Sequence, residues 1–409
     1  MKGMDGKRPK IRFPEFTDDW EKRKLGDVID KLTGGASIAP DDYVEDGYRT
    51  IPKGAVNDTG VADMSGCKNV SESFFMRNIS SKTSTGELVT SLRDLVPTAP
   101  NMGRIVRICG EYEDFLMPQG VYSIILNENM DEDFLIAYSN SPEYRKIIMT
   151  EKNGSTQVHI RNGEFLDIDI PIPSFEEQRK IGKFFSDFDN RIVIYQKKLE
   201  HLQELKKSLL QKMFPKKDEK VPEIRFPVFT GDWEQRKFSE IAQRQSETMV
   251  SDDDNPCIEY DDVIADQGIL NKDVYSKGVY KNGIRFTSED VLYGKLRPYL
   301  HNWLNPNFSG VAVGDWWVLR PINANKNFLF ILIQTSQYDD AANQSSGTKM
   351  PRADWKFISN MEFQIPVEIE EQERIAGVFY SLDNLITFHQ CKLVHIKELK
   401  QYMLRNMFV

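Results

Sequence analysis

Two short loops, Asn153–Arg161 ("NGSTQVHIR") and Gln344–Arg352 ("QSSGTKMPR"), carry the same chemical groups: hydroxyls, amides and a closing guanidinium. Such side chains suit base edges and phosphates, which present donors, acceptors and negative charge. Upstream of each loop lies a stretch with an arginine near a proline-bearing turn, Gly86–Pro100 and Ser288–Leu304. In the first half of the chain the candidate contact residues are Lys82, Ser84, Arg93, Asn101, Arg104, Thr156, Gln157, His159 and Arg161. In the second they are Lys281, Asn282, Lys295, Arg297, Tyr299, His301, Asn302, Thr348, Lys349 and Arg352. Plainer roles compete. Arg93 and Arg297 could be structural ion-pair partners, and the Gly/Ser/Thr loops could be ordinary turns. Trp316 and Trp317 read as core rather than as platforms for bases.

Catalytic patterns are missing. The sequence has no GxxxxGK[ST] phosphate loop, no GxGxxG and no HExxH, and no Asn/Asp-Pro-Pro-Tyr/Phe of the kind that holds a target base for methyl transfer. The histidines (His159, His201, His301, His389 and His395) lack metal-ligand spacing. Cys391 and His395 sit four apart, a spacing better read as a mixed-polarity helix face. The acidic run Ser251–Asp262 lacks the ligand order of a calcium loop and reads as solvated. The chain reads as non-catalytic, with no metal and no cofactor of its own. Its four scattered cysteines suggest free thiols in a reducing cytoplasm.

The elements that must position these residues come in duplicate. "IRFPEFTDDWEKRK" (Ile11–Lys24) returns as "IRFPVFTGDWEQRK" (Ile224–Lys237), identical at eleven of fourteen positions. "FEEQRKIGKFFSDFDNRI" (Phe175–Ile192) returns as "IEEQERIAGVFYSLDNLI" (Ile369–Ile386), and both halves end in Met-Phe. The offset is 213 at the opening phrase and 194 at the later anchors, so the first half holds 19 more residues in its middle (213 − 194). Shared ends with divergent middles describe one scaffold carrying two different inserts. The inserts read as short strands, turns and some helix, with matching helices over Phe134–Met149 and Phe328–Asn343: an α+β pattern.

A long helix closes each half. Ile192, Tyr195, Leu199, Leu202, Leu205, Leu209 and Met213 are spaced by three and four, and Ile386, His389, Leu393, Ile396, Leu399, Met403 and Met407 repeat them. That spacing draws one apolar stripe along a helix, and the duplication favours helices packed on each other, antiparallel if the halves are two-fold related. Ser174 and Glu177 fit a capping box at the first helix start. The 22 residues from Ile192 to Met213 would span about 33 Å, close to one turn of B-DNA at about 34–36 Å. The division expected is a variable α+β domain over 1–173, a helical segment over 174–214, a linker over 215–223, a second α+β domain over 224–366 and a second helical segment over 367–409.

The chain has 409 residues and a net charge of −9, with a pI of about 5.3. That acidity argues against a whole-surface, non-specific nucleic-acid binder, though local patches set the field at a groove. No apolar run is long enough for a membrane span, and no secretory signal is expected.

The duplicated halves, each a variable domain followed by "P-x-x-x-E-Q-x-x-I" and a long helix ending in Met-Phe, resemble the specificity subunit of type I restriction–modification systems. The matching pieces are Pro173–Ile181 and Glu371–Ile375 with their helices, joined by "LYGKLRPYL" (Leu292–Leu300) and "SGTKMPR" (Ser346–Arg352). The resemblance implies two tandem α+β target-recognition domains separated by two long antiparallel coiled-coil helices, with pseudo-two-fold symmetry. It implies that each domain reads half of a bipartite, asymmetric site in double-stranded DNA while the helices set the gap. It further implies docking of two adenine-N6 methyltransferase subunits that bind S-adenosylmethionine, and of motor/nuclease subunits that use ATP and Mg2+. A rival reading is a coiled-coil adaptor that joins partner proteins without touching DNA.

Overall fold

The computed structural model describes residues 8–216, 218–344 and 349–409. The chain divides into two compact units. The first holds the chain up to Lys197 together with Gln390–Val409, and the second is Lys198–His389. Each of two 38-residue helices, Phe175–Lys212 and Ile369–Asn406, therefore contributes one end to each unit.

In the first unit an antiparallel sheet runs in the order Ile29–Gly34, Val121–Leu126, Leu88–Ser91, Ile105–Arg107. Its β-branched residues Val89, Ile105, Val106, Val121 and Ile124 are buried, as a pleated surface covered by other elements requires. The helix expected over Phe134–Met149 is two helices, Glu132–Ser139 and Pro142–Glu151. The break is local chemistry. Ser141 caps the second helix by accepting from the Tyr144 N–H at 3.2 Å, and Pro142 occupies the first turn, where no N–H is needed.

The second unit repeats the sheet as Ala242–Arg244, Trp316–Pro321, Val291–Gly294, Trp303–Leu304. Its helix is split likewise, into Lys326–Leu332 and Ser336–Ala342. Trp316 and Trp317 are buried in the core, as expected.

The repeated opening phrase is structural. Its tail forms a strand in each unit: Glu21–Lys24 pairs antiparallel with Asp169–Ile172, and Glu234–Lys237 with Glu362–Ile365. Trp20 and Trp233 are buried. The arginine of "IRFP" clasps the glutamate of the "E-Q" motif through two bonds. Arg12 donates to Glu177 at 2.7 Å twice, and Arg225 to Glu371 at 2.7 and 2.8 Å. Only half of the expected capping box therefore forms. The Glu177 N–H reaches Ser174 Oγ at 3.4 Å, but its carboxylate is committed to Arg12. The neighbouring glutamines accept the Asp131 N–H at 3.0 Å in one unit and the Asn325 N–H at 2.8 Å in the other.

Within each unit the start of one long helix lies antiparallel to the end of the other. In the first, Asp189 pairs with Lys400, and Phe185 stacks on Phe408 with centroids 5.5 Å apart. In the second, Lys206 pairs with Asp383 at 2.7 Å and Phe214 meets Phe379 at 6.4 Å. Each Met-Phe ending thus fills the core of the unit opposite to its own half: Phe408 packs on Trp20, Phe134 and Tyr138, and Phe214 on Trp233 and Phe328. Along the expected stripe Ile192 and Ile386 are buried. Tyr195, Leu199, Leu202, Leu209, His389, Leu393, Ile396 and Met403 are half-buried. Leu205 and Leu399 depart from it, standing exposed while the next residues, Lys206 and Lys400, turn inward. Each lysine finds an aspartate on the facing helix, and that pairing outweighs the apolar period. The junction between helix end and opening phrase also occurs twice: Ile224 N–H bonds Lys212 O, and Ile11 N–H bonds Asn406 O, both at 2.8 Å.

Candidate nucleic-acid interface

In the first unit the strand Leu88–Ser91 runs into a turn carrying Arg93. Arg93 and Asp94 pair antiparallel with His159 and Val158, so the far arm of the Gly/Ser/Thr loop is stitched to the arginine turn. Ser91 Oγ donates to Arg93 O at 2.8 Å. The Asp94 carboxylate accepts the Val96 and Asn101 N–H groups at 3.3 and 3.2 Å, closing the segment between. Gly120 has φ +99°, and a Cβ there would meet Arg93 Cδ at 3.4 Å. The arginine stem therefore lies over a bare backbone, and the side chain is exposed. The result is a cleft of about 710 Å³ lined by Lys53, Arg93, Asn101, Gln119, Gln157 and His159 among others.

Four sequence candidates thus converge: Arg93, Asn101, Gln157 and His159. Thr156 and Arg161 are exposed on the same loop, Arg161 with Glu164 at 3.5 Å. Lys82, Ser84 and Arg104 are engaged inside the unit. Lys82 Nζ and Ser84 Oγ both bind Asp114, at 3.0 and 2.6 Å, and that bond raises the lysine's pKa. Arg104 donates to Pro100 O at 2.8 Å and to Asn140, and desolvation lowers its pKa. Lys53 and Gln119 were not singled out by sequence. Their signal is a polar residue held between Pro and Gly, in "IPKG" and "PQG".

The second unit repeats the stitch. Arg297 N–H bonds Pro351 O at 2.7 Å, Ala353 N–H bonds Lys295 O at 2.8 Å, and Leu296 bridges Arg352. Arg297 and His301 both adopt left-handed backbone, φ +50° and +53°, at either end of the short turn Pro298–Leu300. A non-glycine residue there costs about 1–2 kcal/mol, strain of the kind that clusters at functional sites. Arg297, Tyr299 and Lys349 are exposed on this rim, and Asn282 is exposed on the strand Asn282–Phe286. Among the described residues neither Arg93 nor Arg297 makes an ion pair.

The other candidates of this unit are placed differently. Lys295 and Arg352 flank Asp315 at 3.5 and 3.1 Å, and Arg352, itself half exposed, holds that carboxyl below its usual range. Lys281 binds Glu259 at 2.7 Å. Lys272 and Lys277 bind Asp262, so the end of the acidic run is salt-bridged, while Asp252, Asp253, Asp254 and Asp261 are exposed to solvent. Asn302 is buried, and both ring nitrogens of His301 face carboxylates. Thr348 lies outside the described residues.

No helix among the described residues is long and apolar enough to cross a membrane. The fold and the rims define a class of protein: two copies of one α+β unit, each presenting an arginine-bearing rim and each closed by the ends of two long helices. A family model described as the type I restriction modification DNA specificity domain matches residues 17–204 and 230–398. The chain belongs to this family, whose part is specificity rather than catalysis, exercised with DNA and other subunits.

The MjaVIII specificity subunit of a type I restriction enzyme from Methanocaldococcus jannaschii is 25% identical, over 96% of this chain and 92% of its own length. The EcoDI specificity subunit from Escherichia coli is 23% identical over 64% of this chain and 66% of its own. The crystal structure of the type I restriction–modification S subunit from M. genitalium shares the fold, with a TM-score of 0.68 at 15% identity, covering 98% of this chain and 99% of that one.

Proposed function

We propose that this subunit reads a bipartite site in double-stranded DNA, one half per unit, through the arginine turn and the Gly/Ser/Thr loop stitched to it. The first half-site meets Arg93, Asn101, Thr156, Gln157, His159 and Arg161, joined by Lys53 and Gln119. The second meets Arg297, Tyr299, Lys349, Arg352 and Asn282. The observation that supports the reading most is the recurrence of one construction in both units: an exposed arginine on a tight turn, held by backbone hydrogen bonds to a polar loop. Guanidinium and amide groups are the ones that pair bidentately with guanine and adenine edges. The paired helices set the unread gap and dock two methyltransferase subunits. Those partners bind S-adenosylmethionine, and motor/nuclease subunits supply ATP- and Mg2+-dependent cleavage. The net charge of −9 then belongs to surface facing partners or solvent. The adaptor alternative, motivated by the acidic pI of about 5.3, is not favoured, since the matching family is a DNA specificity family.

The test is methylome sequencing of cells that carry the assembled enzyme with Arg93→Ala or Arg297→Ala. Each substitution relaxes or abolishes recognition of its own half-site, weakening specific binding by about 10- to 100-fold. Unchanged methylation of the wild-type site by both variants would refute the reading.

A further inference from the structure

His301 lies at the far end of the strained turn and touches carboxylates on both ring nitrogens. Nδ1 is 3.2 Å from Asp266 and Nε2 is 3.0 Å from Asp339. The ring stacks on Trp303 with centroids 5.1 Å apart and planes at 19°. Asp266 is itself left-handed, φ +65°, and its N–H donates to His301 O at 2.9 Å, so two strained residues grip each other through backbone and side chain. A neutral imidazole has one N–H and can serve one carboxylate, whereas the imidazolium has two and serves both.

We infer that His301, as the imidazolium, is a positioning residue that latches the Arg297–His301 turn between Asp266 and Asp339 for reading of the second half-site. The inference rests on the proposal that this turn contacts DNA. The charged and titratable groups around the ring come from four elements. Asp266 lies in the loop between Val263–Ile264 and Ile269–Leu270, and Asp339 on helix Ser336–Ala342. Lys206 of the first long helix acts on Asp266, and Tyr293 of the sheet, whose phenol pKa is raised by burial and by the Asp339 charge, lies near Asp339. Asn343 Nδ2 also donates to Asp339 Oδ1 at 2.8 Å. The two carboxylates outweigh burial and raise the His301 pKa above its ordinary 6.5, Asp266 contributing most. A raised histidine keeps its full contribution below 6.5 and loses it as pH climbs through the folded-state value. The latch is therefore closed on the acid side and opens towards alkaline pH.

Two measurements between pH 6 and 9 test this. Nitrogen-15 histidine spectra of the full chain, assigned by difference against His301→Gln, follow the ring. Binding of the assembled enzyme follows discrimination between its cognate duplex and duplexes scrambled in one half-site. Expected are two ring N–H protons at neutrality with a midpoint above 6.5, and an about tenfold loss of second-half-site discrimination tracking that midpoint. First-half-site discrimination stays level. Asp339→Asn, whose amide can donate to the neutral ring, removes the pH dependence. A ring midpoint at or below 6.5, a level second-half-site profile, or a wild-type slope in Asp339→Asn overturns the latch. A wild type that never discriminates overturns the DNA reading and the latch's role with it. The ring titration, read without DNA, tells the two failures apart.

Discussion

Replacing Lys400 with methionine keeps the length of the side chain and removes its charge. The side chains of Lys400 and Asp189 are 5% and 11% exposed, and Lys400 also reaches Asp58 O at 3.4 Å. Burial pushes the Asp189 carboxyl up from 3.8 to about 6, with Lys400 pulling the other way. That rise corresponds to about 3 kcal/mol of net penalty on the ionised form. Because the value is raised, the folded state holds the proton more tightly than the unfolded chain, and stability falls as pH rises through about 6. Without Lys400 the pull downward disappears and the penalty at pH 8 grows. Leaving one member of a buried pair unpartnered costs about 3–5 kcal/mol. Lys400→Met is therefore expected to lose that much at pH 8 and markedly less at pH 5, where the carboxyl is protonated. The double variant Asp189→Leu/Lys400→Met should match or exceed the wild type, because burying two charges is itself costly. The counterpart Lys206→Met should cost about 1 kcal/mol, since Asp383 is 30% exposed and solvent screens the loss. Native-state hydrogen exchange on the full chain measures each loss, read in Glu132–Ser139 and the C-terminal end for Lys400 and in Lys326–Leu332 for Lys206. A loss below about 1 kcal/mol at pH 8, or an equal loss at both pH values, would refute the reasoning.

Further outcomes follow from the core and the clasps. Phe408→Ala empties a slot bounded by Trp20, Tyr138 and Phe185, at an expected cost of about 3–5 kcal/mol. Exchange should accelerate in the first unit and stay unchanged in the second, and Phe214→Ala should show the reverse. Arg225→Ala strands the Glu371 carboxylate, 2% exposed, with only Trp233 Nε1 at 3.2 Å as a remaining side-chain partner among the described residues. A loss of about 3–5 kcal/mol is expected in denaturant titration. Arg225→Lys should recover little of it, because a single ammonium cannot reproduce two parallel bonds.

Much of the architecture is written locally in the chain. The duplicated phrases reveal two copies of one unit, the three-and-four spacing reveals the long helices, and the short runs of strand-forming residues around Val89 and Val291 reveal sheet strands, because these patterns depend on near neighbours. Ser141-Pro142, which splits a helix, is equally local and was legible in principle. The candidate loops were legible as chemistry: polar side chains near glycine in two matching places. Their convergence with the arginine turns was not, because Arg93 and His159 are far apart in sequence and meet only through a strand pairing.

The sequence by itself determined that one scaffold occurs twice and which residue types can face a nucleic acid, whereas the structure drew each unit from both long helices, so that Gln390–Val409 joins the first. Only the tertiary structure decided which half's Met-Phe ending fills which core, that Lys206 and Lys400 displace leucines from the helix seam, and that Arg12 rather than a capping bond takes Glu177. It also decided which candidates stay exposed on a rim and which, like Lys82 and His301, are bound inside. The physical reason is shared. A charge taken out of water must find a partner, and that partner stands on another element, from 32 residues away for Lys82 to 211 for Lys400, where no local periodicity can register it.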